Sequence, residues 1–135
     1  MSPLQSHAAD AVFPVGSLAV MCQLQDQPSE DHTRALMARL DDFLDAGRTT
    51  VFVDMARLSV EPPGLRLALA RWGVERKSRL RSLHVRVPSA ASHYRMTVTR
   101  IVLGEWLVSH LHPECFLEQL SRFFGDAEEG AMTPC

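Results

Sequence analysis

Val51-Phe52-Val53-Asp54-Met55-Ala56-Arg57-Leu58-Ser59-Val60-Glu61-Pro62-Pro63-Gly64-Leu65 is the stretch on which the fold turns. Thr49 and Thr50 precede it and extend a run of β-branched and aromatic residues, the composition of a buried central strand. The strand is expected to end at Asp54, whose carboxylate then caps the following loop. Pro62, Pro63 and Gly64 interrupt regular structure. Beyond them the period changes. Leu65, Ala68, Leu69, Trp72 and Leu80 fall on one face at 100° per residue, which predicts a helix over 65–80.

The same reading extends in both directions. Ala11-Val12-Phe13 and Leu18-Ala19-Val20-Met21-Cys22 flank Pro14-Val15-Gly16-Ser17, the pattern of a hairpin. Ser29 is an N-cap residue, and Glu30 and Asp31 suit the positive end of a helix. Leu36, Leu40, Phe43 and Leu44 continue that helix to Gly47. Downstream, Leu83 to Val87 alternates apolar residues with His84 and Arg86, as a strand does. Ser89 or Ser92 caps a third helix marked by Tyr94, Val98, Ile101 and Val102, with Gly104 as its stop. Leu107 to Leu111 is read as a last strand, with continuation of the helix as the alternative. Pro113 suits the first turn of a final helix bearing Phe116, Leu117, Leu120, Phe123 and Phe124.

The order β-β-α-β-α-β-α-β-α implies one α/β domain over 11–124. Its sheet is mixed, with four to five strands, and about four helices pack against it. Residues 1–10 are expected to be a flexible start and 125–135 a flexible tail. A chain of 135 residues is long enough to bury a core without disulfides or metals. Its 46% hydrophobic and 22% charged content is globular. No apolar run approaches the roughly 20 residues of a membrane span. Met1 to Asp10 carry neither a basic n-region nor an apolar h-region, so no secretory signal is expected. A cytoplasmic location is inferred, and with it reduced thiols. Cys22 and Cys115 lie among apolar neighbours and read as small core residues. Cys135, in a polar tail, reads as a site for an adventitious intermolecular disulfide.

This order resembles the STAS fold, the domain of anti-sigma-factor antagonists, and its STAS/SEC14-type bacterial relatives. The likeness covers residues 11 to 124. In STAS domains a hydrophobic strand ends in Asp, and a short loop carries Asp-Ser-Ser-Gly-Leu at the start of a helix. The first Ser of that motif is the usual phosphorylation site. Glu61-Pro62-Pro63-Gly64-Leu65 matches the acid, the Gly and the Leu, but Pro replaces both serines. Pro accepts no phosphoryl group and offers no backbone N–H to one. The resemblance therefore implies a regulatory module without the serine switch, presenting the 61–64 loop and the following helix to a protein partner.

Catalytic signatures are lacking. There is no GxSxG elbow, no GxGxxG and no GxxxxGK[ST]. His110 and His112 share a strand-like spacing but have no further ligands in sequence, so no metal is expected and the histidines read as surface or turn residues. His93 reads as solvent-facing. Asp41, Asp42 and Asp45 read as a solvated face beside Arg34, Arg39 and Arg48. Residues 57 to 100 hold ten of the fourteen cationic side chains and two of the sixteen acids. These cations are spread around the second helix without interleaved aromatics, which argues against nucleic acid. Pairing with the acidic first helix and the tail is the better reading.

The sequence thus points to a non-catalytic protein-interaction module with no cofactor and an unidentified protein partner; self-association stays open. The expected contact surface comprises Glu61, Pro62, Gly64, Leu67, Arg71 and Val74. Leu67 and Val74 lie opposite Leu65, Leu69 and Trp72 on the helical wheel, with Arg71 between them. Burial of this edge by the C-terminal segment is the plain alternative. A rival function is a SEC14-like domain for a small apolar ligand or lipid, which needs an enclosed apolar cavity. An unrecognised enzyme centred on Asp54 or on His110 and His112 is the remaining reading.

Overall fold

Ala11–Val15 (β1) and Ala19–Asp26 (β2) form the expected antiparallel hairpin, with Val12 opposite Cys22. Pro14 is tolerated because β1 is an edge strand, where a missing N–H breaks no inner ladder. The computed structural model describes residues 11–59, 61–62 and 64–124, so the expectations for 1–10, 125–135, Val60 and Pro63 lie outside the described residues. The order continues with Glu30–Asp45 (α1), Thr50–Leu58 (β3), Leu65–Arg76 (α2), Ser82–Arg86 (β4), Ala90–Leu103 (α3), Leu107–His110 (β5) and Pro113–Ser121 (α4). The strands lie in the order β1-β2-β3-β4-β5, and β2 to β5 are parallel. Residues 107–110 are therefore strand.

Two boundaries and the orientation of one helix differ from expectation. β3 does not stop at Asp54. It runs on to Leu58, because a register shift in β2 lets Gln25 and Asp26 pair with Arg57 and Leu58. α2 ends at Arg76, and Leu80 is buried in the connection beyond it. α3 forms with Ser89 as its cap, accepting from the Ser92 N–H at 3.1 Å. Its apolar residues, however, face outward. Met96 and Ser92 are the buried positions, while Tyr94, Val98, Ile101 and Val102 are exposed.

The two faces of the sheet carry separate cores. Val51, Val53 and Met55 of β3 join Leu36, Leu40, Leu44, Leu65, Leu69, Trp72 and Met96 from the first three helices. Phe52, on the other face, meets Phe116 and Leu120 of α4. Asp41 and Asp45 of α1 turn to α2 and its connection, the pairing expected between the basic segment and the acidic first helix, and not to Arg34, Arg39 and Arg48; Arg34 pairs instead with Glu30 and Asp31. Asp41 accepts from Nε and Nη2 along one edge of the Arg76 guanidinium, with Nη2 to Oδ2 at 2.9 Å, and accepts from Trp72 Nε1 at 3.1 Å. Asp45 binds Arg79 at 2.6 Å. Arg48 instead holds the hairpin through the Gly16 and Ala19 carbonyls.

Gly73 of α2 fits because it has no side chain. A Cβ there would lie 2.5 and 2.6 Å from Cζ3 and Cη2 of Trp106, whose indole N–H is fixed to the Leu103 carbonyl at 3.1 Å. In a free helix, Gly to Ala gains about 1 kcal/mol. Here overpacking costs about 1–3 kcal/mol. Gly73→Ala is therefore expected to lower stability by about 1 kcal/mol net, read as a drop in the urea midpoint at constant slope. A stabilised variant would show that the indole gives way freely.

Candidate functional site

The 61–64 loop lies where the C-terminal ends of β3 and β4 meet the first turns of α2 and α3. Gly64 enters α2 at φ +83°, a left-handed conformation that costs a side-chain-bearing residue about 1–2 kcal/mol. Glu61 is held across the gap between the two helices. It accepts from the Ser92 hydroxyl of α3 at 2.5 Å and faces Arg66 Nη1 of α2 at 3.7 Å. Ser89 donates to Ser92 at 3.3 Å, which extends the chain of contacts to the α3 cap.

Above these groups opens a surface cleft of about 630 Å³, lined by Ser59, Glu61, Gly64, Arg66, Ser89 and Arg95 among others. None of the described residues lining it is a histidine, and the Ser92 hydroxyl meets the Glu61 carboxylate and the Ser89 hydroxyl. A second surface cleft of about 470 Å³ has Met37, Leu65, Ala68 and Pro62 in its walls, between α1 and α2. Pro62 and Gly64 border both clefts.

Leu67 and Val74 are exposed, at 59% and 38%, and Arg71 between them is also exposed. Among the described residues, no element covers this edge of α2 as the plain alternative required. Leu65, Leu69 and Trp72 are buried on the opposite side.

Asp54 lies mid-strand and does not serve the loop. Its Oδ1 accepts the backbone N–H of Ala56 at 3.0 Å, and its Oδ2 faces Arg86 Nη1 at 3.5 Å. Asp54 and Arg86 are register partners on adjacent parallel strands, so their side chains share a face.

The histidines depart most from expectation. His84 and His110 are buried, because α4 crosses that face of the sheet. His84 stacks on Phe52 with ring centres 4.6 Å apart. Its Nδ1 shares a proton with Nε2 of His110 at 2.9 Å, and its Nε2 bonds the Ser82 hydroxyl at 3.2 Å. Burial pushes His84 down to about 3, helped by His110, and pushes His110 down to about 4, helped by His93. His93 is half-buried and bonds Ser109 Oγ at 2.7 Å, so it is not simply solvent-facing. His112 is the exposed first residue before α4 and does not join the pair. The thiols also divide. Cys22 is buried, as expected of a core residue. Cys115 is half-buried, at the edge of the core.

Solved structures share the fold. An uncharacterized protein of the DUF3478 family with a SpoIIAA-like fold, from Shewanella loihica PV-4, superposes with a TM-score of 0.59. The match covers 83% of this chain and 92% of that one at 10% identity. The anti-sigma factor antagonist SpoIIAA in its unphosphorylated form gives a TM-score of 0.57 at 16% identity, over 82% of this chain and 95% of its own. The fold is STAS-like. No family model matches the STAS-like chain, and no curated protein does. No helix among its described residues is long and apolar enough to cross a membrane.

Proposed function

We propose that this chain is a non-catalytic regulatory module of STAS type that binds a protein partner through Glu61, Pro62 and Gly64 and the outer edge of α2. The observation that carries the reading is the exposure of Leu67 and Val74 around Arg71, on a helix whose other side is anchored in the core. Apolar residues flanking an arginine make a patch of the composition found at interface centres. Glu61 beside it is already tied to Ser92 and Arg66, so little ordering entropy of that side chain opposes docking. The fold that SpoIIAA shares with the chain is in keeping with such a role. A cytoplasmic setting belongs to the same proposal.

Control does not pass through phosphate on the loop, because prolines stand where the resemblance puts the serines. Binding is constitutive, or set by the abundance of the partner. The test is capture of partners from the host, followed by titration of defined variants against the purified partner. Leu67→Asp and Arg71→Glu are each expected to weaken binding by about 1–2 kcal/mol. Ser59→Asp, before the helix start, leaves affinity within about 0.5 kcal/mol. Full affinity in both α2 variants removes this surface, and a loss confined to the Ser59 variant removes the constitutive model.

A SEC14-like ligand role has the apolar-walled cleft between α1 and α2 in its favour. That cleft lies at the surface, whereas ligand sites enclose most of their occupant. The interaction role is therefore preferred.

A further inference from the structure

α3 presents its apolar residues to solvent, and their spacing is that of a helix–helix seam. Ala91, Tyr94, Val98 and Ile101 recur at intervals of three, four and three, the alternation that packs one helix against another, and Glu105 follows just beyond the helix end. All five are exposed, from 42% at Val98 to 79% at Ile101 among the large apolar ones, and Val102 flanks them at 76%. Met96, buried on the opposite side, shows that this orientation is fixed by the core. An apolar strip of this kind facing water marks a docking surface.

The charges indicate what docks. Arg95 is exposed beside Tyr94 in the N-terminal half of the strip, and Glu105 is exposed just past the C-terminal end of the helix. Neither side chain has a hydrogen bond or ion pair within the described residues, so both charges are available to a second surface. A strip with a cation toward one end and an acid beyond the other is complementary to its own reverse. Two antiparallel copies related by a two-fold axis near Val98 set each Arg95 toward the helix end of the other copy, beyond which its Glu105 lies. Val98 then meets Val98, and Tyr94 meets the Ile101–Val102 end. Antiparallel helix dipoles add to the fit.

We propose that this chain pairs with a second copy of itself through α3, in antiparallel register across Tyr94, Val98, Ile101 and Val102, with Arg95 bound to Glu105 at both ends. The outer edge of α2 is a different surface, so this inference does not depend on the partner-binding role. One helix pair buries less than the roughly 800 Å² per partner of a standard interface, so the expected dissociation constant is about 1–100 μM.

Sedimentation velocity on the full chain, from about 1 to 500 μM, reads the equilibrium directly. The expected result is a shift from monomer to dimer over this range. Val98→Asp and Ile101→Asp, at exposed positions that leave the core intact, raise the dissociation constant at least tenfold (about 1.4 kcal/mol or more). Arg95→Glu weakens pairing about five- to tenfold, since the two-fold axis uses the substitution twice, and adding Glu105→Arg restores it to within about threefold. Circular dichroism checks that each variant is folded. Leu67→Asp leaves the dimer unchanged, which separates this result from any failure of the α2 surface. A monomer at every concentration overturns the proposal, and binding of that monomer to phospholipid vesicles would assign the strip to lipid. A dimer indifferent to Ile101→Asp, or one that the charge reversal fails to restore, overturns the proposed register.

Discussion

Lowering the pH from about 7 to 5 is expected to destabilise the fold by about 2 kcal/mol through His84 alone, with a further contribution from His110. His84 has its folded pKa pushed from 6.5 to about 3, and His110 to about 4, chiefly by burial. Between these values and 6.5 the unfolded chain binds more protons than the folded one. Stability therefore rises with pH through this window and falls as pH drops below about 6.5. Above pH 7 both states are neutral at these sites and the effect vanishes. The geometry sharpens the penalty. One proton between Nδ1 of His84 and Nε2 of His110 makes a hydrogen bond, while a second would set N–H against N–H. The carboxylate on the same sheet face, Asp54, is already turned to Arg86 and the Ala56 N–H. Urea unfolding followed at several pH values measures the slope. His84→Phe keeps a ring stacked on Phe52 and removes its proton site, so the slope between pH 7 and 5 should fall by about half. A wild-type stability that is flat across this range contradicts the buried pair.

The elements were legible because each carries a local signal. Pro14 and Gly16 punctuate the hairpin, Ser29 and Ser89 cap their helices, and Val51-Phe52-Val53 has the composition of a strand covered on both faces. What stayed hidden depends on partners distant in sequence. The alternation of His84 with Leu83 and Val85 reports two faces of a strand, but not that α4 will cover the polar one. The seam residues of α3 report an amphipathic helix, and periodicity is silent on which way its apolar side points. At the candidate site, exposure of Leu67 and Val74 followed from the wheel, since the competing face holds Leu65, Leu69 and Trp72. The tie from Glu61 to Ser92 did not. It spans 31 residues and exists because the parallel register of β3 and β4 brings the two helix starts together. Asp54 was legible as a polar group at a central strand, yet its partner Arg86 needed the same register.

The largest single loss is expected at the far side of the sheet. Phe116 is fully buried and is the residue through which α4 grips the strands. It meets Phe52 edge-on at 5.6 Å and His110 edge-on at 5.7 Å. Phe116→Ala removes this packing and leaves a cavity, at a cost of about 3–5 kcal/mol. Leu117→Ala, one position along and exposed, should stay within about 0.5 kcal/mol, so the contrast isolates burial from helix propensity. A second readout ties the result to the histidines. With Phe116 gone, water reaches His110 and His84, the burial that depresses them weakens, and both titrate closer to 6.5. The variant should accordingly be less stable at pH 7 and lose less on going to pH 5 than the wild type does. Imidazole proton shifts followed by NMR titration read that change site by site. A loss below about 1 kcal/mol, or histidines that titrate as before, would mean that α4 is not what keeps water from the pair.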